Sequence, residues 1–299
     1  MKIAFYSPAW PVSHAQNGIV TYVDIMVRAM REAGHECVVV TPRLLAVRPE
    51  DAGTVFALPD GAQRSGFEQM WLRARAKLDR ETWLRQLGRD ITQALEDASR
   101  NGPVDVLDIE ESFGMARFIK GAPAFVRLHG PHFVGHFGEK TANDERRIIS
   151  EGRALETARA VTSPSPGLLE ATREFYGGLS RPAAVIPNPV APAPQDDVWR
   201  YEECDPNLIL YVGRFDLRKG ADVMLEAFSK VARRRKSLRL IMAGRDDGVE
   251  VGSGERLHYP EYAKRYLDEG VASRIEFLGQ VSPEELRELR RRAWPSRIR

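Results

Sequence analysis

Short apolar runs alternate with amphipathic stretches along almost the whole chain, and this alternation narrows the fold more than any other feature. Strands buried on both faces of a parallel sheet read as continuous apolar runs, because crossover helices cover both sides. Ile3–Tyr6, Cys37–Val40, Val55–Leu58, Val104–Ile109, Ala124–Leu128, Val161–Thr162 and Ala184–Ile186 fit that pattern. Helical periodicity covers Gly18–Ala33, about Phe67–Ser99, Asn143–Glu156 and Pro166–Phe175, with Gly34 as the C-terminal cap of the first helix. A doubly wound α/β domain over residues 1–190 is the expectation.

Pro187, Pro189, Pro192 and Pro194 then exclude helix or central strand, and Asp196, Asp197, Glu202, Glu203 and Asp205 follow. Residues 191–205 therefore read as a linker, and 206–299 as a second α/β domain. Its predicted elements are strand Leu208–Val212, helix Ala221–Arg234, strand Leu238–Ala243, helix Tyr259–Glu269, strand Ile275–Leu278 and helix Pro283–Arg292. The stretch from Leu208 to Phe228 carries the most chemistry. A buried strand ends at Gly213, a loop with Arg214 and Lys219 follows, and an amphipathic helix begins after Gly220. Two cations beside an open helix N-terminus suit an anionic ligand, because unpaired N–H groups and full charges act together. The segment is a candidate diphosphate clamp.

Gly213-Arg214 followed by Lys219-Gly220 resembles the G-R-x-x-x-x-K-G pattern that opens the second domain of retaining, family-4-like glycosyltransferases of the GT-B fold. The resemblance implies two Rossmann-like domains facing across a cleft. It implies that Arg214 and Lys219 hold the diphosphate of a UDP- or GDP-sugar donor while an acceptor hydroxyl takes the sugar. Gln16-Asn17-Gly18, between the first strand and helix, resembles the family's first-domain glycine loop, with Asn17 where a second glycine is frequent. His129, after the strand Ala124–Leu128, resembles the histidine that reaches the donor sugar. By the same resemblance His132, Asn17 and Glu110 fall on the acceptor side, and Gly18, Gly244 and Gln280 on the donor side. Gly244 sits in Leu240–Gly248 and Gln280 in Phe277–Val281. Ile186-Pro-Asn-Pro-Val190 resembles a turn at the domain junction, with Pro189 in place of glycine and a structural role. No cofactor or obligatory metal is implied. Envelope or exopolysaccharide synthesis is the implied setting.

Other readings of the same residues are weaker. His129, His132 and His136 have spacing that invites zinc, yet no fourth ligand is evident. Glu110 and Glu111 are adjacent on a strand and so point to opposite faces, which does not make a hydrolase carboxylate pair. Asp246-Asp247 reads as a polar turn. No G-x-G-x-x-G follows any predicted strand, which argues against a nicotinamide enzyme. With 44 Lys plus Arg against 42 Asp plus Glu, the net charge of +2 gives no footprint for nucleic acid. Cys37 and Cys204 form no disulfide framework, so a cytoplasmic setting is expected. The basic helical region Phe67–Arg89 offers a surface for peripheral membrane contact, although a core-packed helix with a solvated basic face accounts for it as well. In the family another strand and a loop with paired glutamates come next, but here only Ala293–Arg299 remains after Arg292 and neither glutamate is present. A second domain cut short is therefore expected, and with it an alternative in which the chain is a catalytically incomplete module that only binds acceptor or a partner. A GT-B sugar-nucleotide epimerase is a third reading.

Overall fold

The computed structural model describes residues 1–15, 17–59, 81–135, 140–192, 199–252 and 254–294. It divides into two compact units, Met1–Ala191 and Pro192–Arg299.

The first unit is built on strands β1 (Lys2–Tyr6), β2 (Glu36–Thr41), β3 (Val55–Ala57), β4 (Val106–Glu110), β5 (Ala124–Arg127), β6 (Ala160–Ser163) and β7 (Ala183–Val185). They form one parallel sheet in the order β3-β2-β1-β4-β5-β6-β7. Strand β1 shows why its sequence is continuously apolar. Ala4 and Tyr6 enter one core, with Leu107, Ile109 and Leu95, while Ile3 and Phe5 enter the other, with Tyr22, Val23 and Val27. Helix α1 (Gly18–Glu32) supplies that second group, and helix α2 (Thr82–Ala98) covers the first face through Leu84, Ile91, Ala94 and Leu95. Each fully buried leucine or isoleucine among these contributes about 1.5–3 kcal/mol of transfer free energy. Helices α3 (His132–Gly135), α4 (Ala142–Thr157) and α5 (Pro166–Tyr176) complete the unit. A Thr141–Asp144 capping box starts α4, and Ser165 caps α5 with Pro166 in its first turn.

Strand order runs outward in both directions from the β1/β4 pair. The loops that leave these two strands diverge to opposite faces and open a crevice at their carboxyl ends, where open α/β sheets bind ligands. Asn17-Gly18 follows β1 and Glu110-Glu111 ends β4, so the predicted residues lie at this switch point.

In the second unit, β8 (Asp205–Val212), β9 (Arg239–Ala243), β12 (Ile275–Gly279) and the two-residue β13 (Ala293–Trp294) form a parallel sheet in the order β12-β9-β8-β13. Helix α6 (Ala221–Arg234) packs Leu225 and Phe228 on one face with Phe215 and Met242, and α9 (Pro283–Arg292) brings Leu289 to Leu208 and Ile241 on the other. Strand β8 starts at Asp205, inside the stretch assigned to the linker, of which residues 193–198 lie outside the described residues.

Two features differ from expectation. The predicted helix Tyr259–Glu269 is two elements, α7 (Tyr259–Tyr266) and α8 (Glu269–Ala272), because Leu267 takes an extended conformation (φ −109°, ψ 138°) and ends the first. An antiparallel hairpin, β10 (Val249–Val251) with β11 (Glu255–Leu257), was not anticipated. Its three-residue strands are too short to display alternation.

Candidate functional site

At the switch point Asn17 is the N-cap of α1, its side-chain oxygen accepting from the Ile19 N–H at 2.8 Å. Gly18 follows with ordinary backbone angles, and a β-carbon placed there would meet nothing within 4 Å. Nothing in the fold requires glycine at this position. The open space beside its backbone is room for a ligand. One helical turn on, Tyr22 turns inward and its ring meets the His129 imidazole edge-on, with centroids 4.9 Å apart and planes at 74°. Helix α1 thus brings the Gly18 end and His129 to one neighbourhood.

The segment after β5 is held by two buried carboxylates. Glu111, 2 % exposed, accepts the backbone N–H of His129 at 2.9 Å and of Gly130 at 2.8 Å. Glu151 of α4 accepts the N–H of His132 at 2.8 Å, the N–H of Phe113 at 3.2 Å and the Arg147 Nε–H at 2.8 Å. Burial pushes the Glu111 carboxyl up to about 7 despite its two backbone donors. His129 itself is half-buried, and burial together with the charge of Arg127 pulls its pKa down to about 4. The imidazole is therefore uncharged at neutral pH.

Glu110, expected on the acceptor side, ends β4. It is 6 % exposed, accepts from the Ser112 hydroxyl at 2.8 Å, and has its pKa raised by burial. His132 is engaged as well, with its Nε2 2.7 Å from Asp144 Oδ1. Two of the three histidines considered for zinc thus have unrelated partners, and His136 lies outside the described residues. Among the described residues no three His, Cys, Asp or Glu side chains gather as a metal site.

In the second unit the loops after β8, β9 and β12 converge. Gly244 N donates to the Gly279 carbonyl at 2.7 Å, next to Gln280, and Gly213 N to the Ala243 carbonyl at 3.0 Å. Gly244 has φ +151°, and a β-carbon there would overlap the Gly213 carbonyl oxygen. Its glycine is a packing requirement, which separates it from Gly18. The cationic loop between β8 and α6 is pinned from below by Tyr211. Its hydroxyl lies 3.1 Å from the Arg214 carbonyl oxygen and 3.0 Å from that of Lys219, fixing both residues' backbones to one point. Asp216 caps the short turn Leu217–Lys219 by accepting the Lys219 N–H at 2.8 Å.

Electrostatically the two cations differ. Arg214 pairs with Asp216 at 2.8 Å and Asp247 at 3.0 Å. Arg245 first and Arg214 second hold the Asp247 carboxyl below its usual range. Lys219 is exposed, and among the described residues no carboxylate lies in ion-pair range of it. An arriving phosphate would meet a free ammonium and an arginine already oriented by carboxylates. Asp246 accepts the N–H groups of Gly248 and Tyr259, so the Asp246-Asp247 pair builds the turn and aligns arginines.

The sequence reading missed Glu151, Tyr211, Tyr22 and Arg127, and weighed Glu111 only as half of a carboxylate pair with Glu110. Arg127 was the one with a visible sign, a charge inside the apolar run Ala124–Leu128. Asn188 of the junction turn accepts its Nη–H at 2.6 Å, a structural role. The basic region is only partly described, since Phe67–Arg80 lies outside the described residues. Leu84, Ile91 and Leu95 of α2 face the core, and among the described residues no helix is long and apolar enough to cross a membrane.

A glycosyl transferase 4-like domain matches residues 17–189, more than half of the chain, and glycosyl transferases group 1 matches residues 199–295. The chain belongs to this glycosyltransferase family. Solved structures agree on the fold. Sucrose-phosphate synthase from Thermosynechococcus elongatus superposes with a TM-score of 0.65 at 19 % identity, over 98 % of this chain and 73 % of that one. WaaG, a glycosyltransferase involved in lipopolysaccharide biosynthesis, gives 0.58 at 14 % identity over 97 % and 73 %. The catalytic domain of starch synthase IV from Arabidopsis thaliana, bound to ADP and acarbose, gives 0.57 at 11 % over 98 % and 76 %. At such identities the likeness is one of fold, the GT-B fold with its Rossmann-like domains. No curated protein sequence matches the chain.

Proposed function

We propose that this glycosyltransferase moves a sugar from a UDP- or GDP-sugar to an acceptor hydroxyl with retention of anomeric configuration, in envelope or exopolysaccharide glycan synthesis. The observation that carries the reading is the Tyr211-pinned loop with an uncompensated Lys219 and a pre-oriented Arg214. When the bond between the anomeric carbon and the diphosphate oxygen breaks, negative charge grows on the leaving group. Fixed cations stabilise that charge without proton transfer and without a metal. The departing phosphate oxygen accepts the proton of the incoming hydroxyl on the same face, which gives retention. A neutral His129 supports this chemistry, since it can hydrogen-bond the sugar without opposing the positive charge that develops at the anomeric carbon. The enzyme works in the cytoplasm, at the membrane face where lipid-linked acceptors reside, and touches that face through the basic region Phe67–Arg89.

Calorimetric titration with UDP, GDP and ADP tests the core of this reading. One nucleoside diphosphate binds, and Arg214→Ala and Lys219→Ala each weaken it roughly 10- to 100-fold, the worth of a charge-assisted hydrogen bond. Proton NMR of the transfer product then reports its anomeric configuration. Diphosphate affinity indifferent to both substitutions would remove the clamp, and an inverted product would remove the mechanism.

A further inference from the structure

Arg127 is 1 % exposed, and enclosed guanidinium groups ordinarily stand opposite a carboxylate. Among the described residues none lies in ion-pair range of it. One Nη donates to Asn188, and Nε has no partner at all. Its neighbours Val126 and Leu128 belong to the core on the α2 side, so alternation along the strand sends Arg127 to the α1 side. There its Cζ lies over the Tyr22 ring, 5.0 Å from the centroid. The same ring touches His129, and its hydroxyl donates to Asp108 Oδ2 at 3.2 Å. Arg127, Tyr22 and His129 form a stack with a fixed charge at one end and the candidate substrate-contacting imidazole at the other.

We propose that Arg127 is a positioning residue, an internal cation that braces Tyr22 against His129 and reserves the imidazole as a neutral hydrogen-bonding group toward the donor sugar. The proposal rests on the reading of His129 as a substrate contact. A buried arginine with no carboxylate in ion-pair range is a costly way to fill space, and an apolar side chain of similar length would fill it without desolvating a charge. The stack places the guanidinium within about 10 Å of the imidazole, where repulsion in a protein interior is worth about one pKa unit. That agrees with the fall of the His129 pKa to about 4, in which burial is the larger cause and Arg127 the second. The other groups around the stack are Asp108, whose carboxyl burial pushes up to about 6 against the pull of the Tyr22 hydroxyl and the Arg127 charge, and Glu111, which binds the His129 backbone N–H. Neither carboxylate pulls the imidazole into the charged form.

The test is an NMR titration of the full chain labelled with 15N-histidine, the His129 resonance being assigned from His129→Gln. In the native protein His129 stays neutral down to about pH 4. Arg127→Met should raise its titration by about one unit while leaving thermal stability unchanged or higher, and Arg127→Lys should keep it low. Arg127→Gln gives the same readout should the methionine variant not fold. A folded Arg127→Met or Arg127→Gln protein whose His129 titrates as in the native chain overturns the proposal. Donor hydrolysis measured in parallel separates the two readings: activity undiminished in His129→Gln would overturn the role of His129, whatever the titration shows.

Discussion

Gly244→Ala tests how the second unit holds the loops after β8, β9 and β12 together. The new β-carbon would overlap the Gly213 carbonyl oxygen, sit 2.5 Å from the Gly213 carbonyl carbon and 3.1 Å from the Arg214 nitrogen. Non-bonded carbons rest about 3.5–4 Å apart, so the Gly213-Arg214 backbone must retreat by roughly 1 Å. It cannot do so freely. Gly213 N is bonded to the Ala243 carbonyl at 3.0 Å and Phe215 N to the Arg245 carbonyl at 2.8 Å, one on each side of Arg214. Losing both, together with alanine at φ +151°, costs about 3–5 kcal/mol. A domain stable by only about 5–15 kcal/mol is left marginal by such a loss. Hydrogen exchange read by mass spectrometry separates the two units. Protection of β8, β9 and β12 should fall by two orders of magnitude or more, whereas β1, β4 and β5 keep theirs. Nucleoside diphosphate affinity should fall with it, because Arg214 moves with the strained backbone. Native protection in β8 and β9 of the variant would refute the argument that loop contact dictates this glycine.

Gly18→Ala should behave in the opposite way. With open space around it and no positive φ, alanine leaves thermal stability unchanged or raises it by up to about 1 kcal/mol, while sugar transfer falls at least roughly tenfold if ligand occupies that space. Native turnover in a stable variant would remove Gly18 from the site. Glu111→Gln addresses pH. The folded carboxyl titrates near 7 against 4.5 in the unfolded chain, so the folded protein binds the extra proton between these values. The contribution of Glu111 to stability is thus fully present below about 4.5 and lost as pH rises through 7. Glutamine cannot ionise, and with one carbonyl oxygen it serves only one of the two N–H donors. The variant is less stable than the native chain at pH 4.5, and urea unfolding should show the gap closing by up to about 3 kcal/mol by pH 7.5. A gap independent of pH would refute the raised carboxyl.

What the sequence disclosed and what it withheld divide along a physical line. Parallel strands buried on both faces must be apolar throughout, so Ile3–Tyr6, Cys37–Val40 and Leu208–Val212 announce themselves, and Gly34 marks a helix end. The cationic loop was legible for the same reason, since a strand, a glycine and a helix start frame it within a dozen residues. The hairpin of β10 and β11 and the break at Leu267 were not, because neither has the length that periodicity needs. The site's supports withheld themselves for another cause. Glu111 meets the N–H groups of His129 and Gly130, 18 and 19 positions away, and Glu151 meets that of His132 19 positions away. A glutamate on a helix reads as a solvated face until the tertiary fold turns it inward. Arg127 stood in plain view inside an apolar run, yet its meaning depended on Tyr22 and Asn188, which come from opposite ends of the first unit. Sequence patterns locate groups that touch ligand near chain landmarks. The groups that orient such residues are chosen by long-range contact, as Glu111 and Tyr22 are around His129.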